Sequence, residues 1–318
     1  MTGRPPAVGV ATDRLPHMRV RGISFIVALL LVAPGCGADV AAPRPVTAIQ
    51  QRPGGVAVGS ALPPRAQGAL DQALERYLRG RPGRAALAVF DRTTGARYSF
   101  RERPSFMLAS VAKVDILLAF LLGKQREREP LSAYERTLAS RMIRRSDNDC
   151  AHELYLTIGG RAGLAGVLRG LEVEHTRPGP GLSWGSTMSR PSDQVKVLEQ
   201  LTDPAGPVSA RNRRYALELM SSVEPSQAWG VSAAAHEGAV ALKNGWLPAR
   251  VHDGLWTVNS VGRLHVRGHE LLIAVLSERS PDMETGIATV ERLARLAVST
   301  LTRSRPAAEA AMAARPRG

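Results

Sequence analysis

The sequence predicts an α/β fold of the α+β kind. An antiparallel sheet drawn from both ends of the chain carries the terminal helices on one face and an inserted all-helical block on the other. Three observations predict it. Two strand-like runs, 85–90 and 97–100, bracket the turn sequence Asp91-Arg92-Thr93-Thr94-Gly95 and read as a β-hairpin. Strand-like runs return only late, at 240–242, 254–261 and 263–275. Between the two groups lie helical patterns over 131–145, 147–157, 160–170, 190–202 and 208–222, preceded by a helix that opens at Ser110 and is free of Pro and Gly until Gly123.

The terminal helices are read from spacing. Leu70, Leu74, Tyr77 and Leu78 recur at helical intervals over 67–79, and Gly80-Arg81-Pro82-Gly83 stops that helix. Ile287, Val290, Leu293, Leu296 and Ala297 share one face of a helix over 283–302. Upstream, Met18-Arg19-Val20-Arg21 introduces the apolar run Ile23 to Ala33, about half the length needed to span a bilayer as a helix. With Pro34-Gly35-Cys36 at its end, the stretch reads as a secretory signal, and Met18 is an alternative start. Cys36-Gly37-Ala38-Asp39 resembles a bacterial lipobox, which implies a lipidated Cys36 and a membrane-anchored lipoprotein on the outer face of the cell membrane. Cleavage nearby and free secretion is the alternative. The expected division is 1–36 extension and signal peptide, 37–66 an Ala/Pro/Gly-rich disordered linker, 67–302 the folded domain, and 303–318 a basic disordered tail. Cys150 then has no disulfide partner and is expected to be a small buried hydrophobe.

The chain carries a formal charge of +14, almost all from arginine: only Lys113, Lys124, Lys196 and Lys243 are lysine, against 38 arginines. The arginines are dispersed and accompany no nucleic-acid-binding motif, so no nucleic-acid partner is expected. Where positive charge alone is wanted, this chain uses Arg. A retained Lys therefore points to a need Arg cannot meet, such as giving up a proton.

Three short stretches carry chemistry. Ser110-Val111-Ala112-Lys113 places a hydroxyl and an amine at i, i+3 on one side of a helix, where a partly desolvated amine can take the hydroxyl proton. Its bland alternative is a serine near a helix start and a lysine on a solvated face. Ser146-Asp147-Asn148 lies between two helices, where the same residues serve as caps. Lys243-Asn244-Gly245-Trp246 follows the strand-like 239–242, where Asn-Gly reads equally as a turn.

Taken together and in this order, S-x-x-K, S-D-N and K-x-G on helix, loop and strand resemble the serine β-lactamase and penicillin-binding protein superfamily, and within it class A β-lactamases. The resemblance covers about residues 67–302. It implies a β-lactamase/transpeptidase-like fold and an acyl-enzyme hydrolase that uses no cofactor and no metal. Ser110 would be the nucleophile, Lys113 its base, and Ser146 the proton relay to the leaving nitrogen. Lys243, Asn244 and Gly245 would bind the substrate's carboxylate side, and Asn148 its amide side chain. The backbone N–H groups of Ser110 and Trp246 would form the oxyanion hole. The partner would be a β-lactam or a peptidoglycan-type peptide, and the protein a monomer. Asp147 is expected to be structural.

Departures from the pattern limit what is implied. The segment from Lys113 to Ser146 is shorter than in typical class A enzymes, which implies that part of the cleft's helical wall is missing. Residues 171–187 lack the E-x-x-L-N signature of the family's Ω-loop; Glu172 and Glu174 are the only carboxylates there, and neither has the right neighbours. Asn244 replaces Thr or Ser, and bulky Trp246 follows Gly245. Three readings stay open: a β-lactam hydrolase, a penicillin-binding or D-alanyl-D-alanine peptidase-like protein with slow deacylation, and a non-catalytic member of the fold. Gly181-Leu182-Ser183-Trp184-Gly185 matches a nucleophile elbow, but Pro178-Gly179-Pro180 precedes it where a buried strand is required. His152-Glu153 and His269-Glu270 lack a second histidine at zinc-site spacing, and His265 and His269 are read as ordinary surface histidines.

Overall fold

The computed structural model describes residues 62–235 and 238–303. The chain divides into Met1–Gly54 and Gly55–Gly318, and all described residues belong to the second unit. The signal stretch, Cys36, most of 37–66 and all but the first residue of the tail lie outside them.

In chain order the elements are α1 (Pro64–Leu78), β1 (Arg84–Asp91), β2 (Arg97–Phe100) and β3 (Phe106–Met107), then a 3-10 turn at Ala109–Val111 that leads into α2 (Ala112–Glu127). Next come α3 (Ala133–Arg144), α4 (Asn148–Thr157), α5 (Gly160–Gly170), β4 (Met188–Ser189), α6 (Pro191–Thr202) and α7 (Ala210–Ser221). The chain closes with β5 (Val240–Pro248), β6 (Trp256–Val266), β7 (His269–Ser280) and α8 (Met283–Leu301). The main sheet has the order β2-β1-β7-β6-β5, every pair antiparallel, so strands from both ends meet where β1 pairs with β7. Strand alternation divides the core in two. Leu87, Val89, Ile273 and Val275 pack with Leu70 and Leu74 of α1 and Val290 and Leu293 of α8. Ala86, Ala88, Leu272 and Ala274 pack with α2 and the rest of the helical block. The predicted α+β arrangement is the one observed.

Local rules account for most boundaries. Asp147, Ser209 and Asp282 cap α4, α7 and α8 through their side chains, and Ser132 with Glu135 forms a capping box on α3. The first helix starts at Pro64, earlier than spacing predicted, because proline fits the first helical position. Ser110 lies in the 3-10 turn and not in the α-helix, which starts at Ala112. The late strands differ more. Lys243 to Trp246 forms no turn: β5 continues to Pro248, paired with β6 throughout. Gly262 does not end a strand either. It sits inside β6, where a Cβ would lie 2.6 Å from the carbonyl oxygen of Ala241. The β6–β7 hairpin instead turns at Arg267 and Gly268, with φ of 52° and 79°, the paired positive angles of a tight two-residue turn.

The two late histidines also part company. His265 is exposed, whereas His269 is buried with its Nδ1 2.7 Å from Asp91 Oδ2. Burial makes Asp91 depend on its partners: it also accepts from Thr93 N and Thr94 Oγ1, so one carboxylate organises the β1–β2 turn and ties it to β7. Asp91→Ala strands these donors and is expected to lower unfolding free energy by about 3–5 kcal/mol, measured by urea denaturation.

Candidate active site

Two separate segments meet at one amine, and a third joins them through Ser146. Lys113 is fully buried, and its Nζ lies within hydrogen-bonding distance of Ser110 Oγ at 2.9 Å, Ser146 O at 2.6 Å, Ser146 Oγ at 3.0 Å and Asn148 Oδ1 at 2.8 Å, more oxygens than its hydrogens can serve at once. All four acceptors are neutral oxygens. Burial pushes the amine down to about 7, against a smaller pull upward from Asp147. From the other side Lys243 Nζ, also buried, donates to Ser146 Oγ at 3.0 Å and to Asn244 O at 2.8 Å. Burial, helped by the nearby Lys113, holds Lys243 well below the ordinary lysine range. The order Ser110, Lys113, Ser146, Lys243 is thus one hydrogen-bonded chain.

Backbone strain marks the same place. Ala109 and Ser146 have φ of 51° and 58°, in a region that costs non-glycine residues about 1–3 kcal/mol each. Asp147 explains how Ser146 is held: it caps α4 through Asp149 N and Cys150 N and pairs with Arg141 at 2.6 Å. Cys150 is free and buried behind it.

Gly245 brings β5 against the serine turn. A Cβ there would lie 2.5 Å from Leu108 O, 2.7 Å from Val111 N and 2.8 Å from Ser110 N, so only glycine admits this approach. The next residue, Trp246, turns its ring to the opposite side of the strand and meets Trp229 edge to face, centroids 5.7 Å apart. Asn244 points the same way. Its amide donates to Gln227 O and Trp229 O, and it is not brought to the Ser110 cluster.

Several residues at the site left no sequence signal of their role. The Trp184 ring lies 4.8 Å from Lys113 Nζ. It is held by Thr187, whose Oγ1 donates to Trp184 O and whose carbonyl accepts from Leu108 N. The pattern Gly181 to Gly185 draws attention to this loop for its serine, yet Ser183 is exposed and the residue that reaches Lys113 is the neighbouring tryptophan. Buried Asn259 on β6 donates to Met107 O and Leu108 O and fixes the chain just before Ser110. On the buried side of α2, burial pushes Asp115 up to about 8, and Gln194 Nε2 bridges it to Ser189 at the β4 edge. Glu172 pairs with Lys196 at the surface at 3.3 Å, and Glu174 is exposed. Among the described residues no group of three or more His, Cys, Asp or Glu is placed to hold a metal ion.

A five-stranded antiparallel sheet with helices on both faces and a serine–lysine cluster at its β5 edge defines a class of protein. The fold is that of the class A β-lactamases. The TLA-3 extended-spectrum β-lactamase superposes with a TM-score of 0.68 at 15% identity over 74% of this chain and all of its own. A class A β-lactamase from Bacteroides cellulosilyticus gives 0.65 at 16% identity over 75% of this chain and 99% of its own. The chain belongs to the β-lactamase enzyme family, whose model matches residues 123–301, more than half its length. That match takes in Ser146, Asn148 and Lys243 to Trp246 and begins after Ser110 and Lys113. A Mycobacterium tuberculosis protein provisionally named as the lipoprotein LppW is 26% identical over 261 residues, covering 72% of this chain and 83% of that protein; its Mycobacterium bovis counterpart matches equally.

The Gly245 approach is testable without any substrate. Gly245→Ala must push β5 off the turn before α2, and is expected to cost about 1–3 kcal/mol by denaturant titration, with the displacement visible in a crystal structure.

Proposed function

We propose that this protein is an exported serine hydrolase of the β-lactamase kind, acylated at Ser110 by a β-lactam or related amide, and slow to release the acyl group. One observation carries the reading: the Lys113 amine lies 2.9 Å from Ser110 Oγ, buried among neutral acceptors. An amine so placed is part neutral near pH 7 and can take the serine proton as Oγ attacks a carbonyl. Ser146 Oγ, in reach of both lysines, then passes a proton to the leaving nitrogen. The backbone N–H of Ser110 and that of Trp246, which follows Gly245, form the oxyanion hole in this reading, each donor worth roughly 10²–10³ in rate. Asn148, exposed at the start of α4, meets the substrate's amide side chain, and Lys243 draws its carboxylate side. Asn244 acts from behind by holding β5 to Gln227 and Trp229.

Slow release follows from the loop 171–187. Its two glutamates face solvent or Lys196, and every hydrogen-bond acceptor of Lys113 is a neutral oxygen. Water attack on the ester is left without a dedicated carboxylate base.

The same proposal extends to the chain's organisation: signal and lipidation at Cys36, a tether from 37 to the start of the folded domain at Leu62, the hydrolase from there to 302 and a tail over 303–318, acting as a monomer. The lipoprotein designation of LppW and the basic and apolar stretch before Cys36 support it. Among the described residues no helix is long and apolar enough to cross a membrane. Metabolic labelling with a palmitate analogue is expected to mark the protein and to be lost in Cys36→Ala; label retained in that variant refutes the anchor.

For the chemistry, a fluorescent penicillin should give a one-to-one adduct by intact mass, with little hydrolysis of a chromogenic cephalosporin. Ser110→Ala should abolish the adduct, and Lys113→Arg should slow acylation by about 10²–10⁴, since guanidinium cannot serve as base. Label that survives Ser110→Ala means the nucleophile is another residue. The acylation rate should rise as pH increases through about 7 and level off above it, because deprotonated Lys113 is the active form.

A further inference from the structure

Trp184 touches both the buried amine and an open cavity. Its ring centroid is 4.8 Å from Lys113 Nζ. The same residue lines a cavity of about 560 Å³ together with Asn148, Asp149, His152, Glu153 and Leu156, and Lys113 is not among the lining residues. A space of that size holds many waters. It also presents His152 and the Glu153 carboxylate, which accepts from Tyr134. The cavity therefore has room for water and groups able to polarise it, beside the indole that contacts the amine.

We infer that Trp184 is a water-excluding shutter over Lys113, and that this residue sets how long an acyl group stays on Ser110. The inference rests on the acylation of Ser110 proposed above. Deacylation needs a water molecule at the ester carbonyl and a base for its proton. The water oxygen would bond to the carbonyl carbon and give a proton to the neutral Nζ of Lys113. The bond from that carbon to Ser110 Oγ would break, and Oγ would regain the proton, leaving free serine and a carboxylic acid. Lys113 can serve as that base, but the indole covers its approach from the cavity, and excluding water from a site protects a reactive intermediate from hydrolysis. The position of the ring is fixed by backbone as well as by packing. Thr187 Oγ1 donates to the Trp184 carbonyl at 2.6 Å, and Leu108 N donates to the Thr187 carbonyl at 2.8 Å, so the shutter is tied to the segment that carries Ser110.

The test uses the full chain, labelled with a fluorescent penicillin and chased with unlabelled buffer, the adduct being followed by intact mass. In Trp184→Ala the adduct lifetime should fall about tenfold or more, while Trp184→Phe, which keeps a ring over the amine, should stay near the unaltered protein. Trp184→Leu keeps an apolar filler, guards against simple unfolding of the alanine variant, and should fall in between. A second readout separates shielding from mere support of the fold. Hydrating Lys113 should move the midpoint of the acylation pH profile upward by about one unit in Trp184→Ala, because lost burial restores the ammonium. Equal lifetimes in folded Trp184→Ala or Trp184→Leu and the unaltered protein overturn the inference and leave acylation standing. No adduct on the unaltered protein overturns the acylation reading itself, and the shutter with it.

Discussion

Burying the Lys113 amine among neutral oxygens is the constraint on which the rest of the site depends. A charged ammonium in that position is costly to desolvate, and among the described residues no carboxylate is hydrogen-bonded to it to offset the cost. The protein responds by lowering the affinity of the amine for its proton. Every neighbouring feature serves to keep that environment. The positive φ at Ser146 presents both its carbonyl and its hydroxyl to the amine. Asp147, adjacent in sequence, is drawn off to the α4 N-terminus and Arg141, which limits its upward pull.

The fold supplies these groups from places that share no local structure. Ser110 and Lys113 come from the entry to α2, Ser146 from the α3–α4 junction, and Lys243 from β5. Their registration is set by contacts made to the backbone of the serine turn and its neighbours. Gly245 lets β5 approach the serine turn, Asn259 binds the carbonyls of Met107 and Leu108, and β3 pairs with β4 to bring the Trp184 loop alongside. Because the sheet is closed by β1 against β7, strands from the two ends of the described chain are needed before β5 has a fixed position.

The sequence revealed the parts of this arrangement that depend on residue type and order. Lysine in a chain that otherwise uses arginine, placed three residues after a serine, marked the amine, and the order of the three motifs marked the fold. What could not be read depends on distance through space. Trp184 meets Lys113 across a long stretch of chain with no periodic pattern to reveal it. Asn-Gly in β5 and Gly262 in β6 carried turn or break signals that tertiary packing overrides. At both places a glycine is required by a backbone oxygen too close for a Cβ, not by a reversal of the chain. His269 looked like a surface residue because its partner Asp91 lies on β1, far away in sequence.

The placement of one hydroxyl has a further consequence. Ser146 Oγ lies 3.0 Å from both Lys113 Nζ and Lys243 Nζ, yet a hydroxyl carries a single hydrogen. Toward a protonated amine it must act as acceptor, and only toward a neutral one can it donate. When one lysine is neutral and the other charged, the direction of the O–H bond therefore records which of them holds the proton. Moving the proton from one lysine to the other requires only that two hydrogens shift along the relay, which itself reverses the O–H direction, with no displacement of the chain. Ser146 thus gives the buried pair a two-position register for one shared charge.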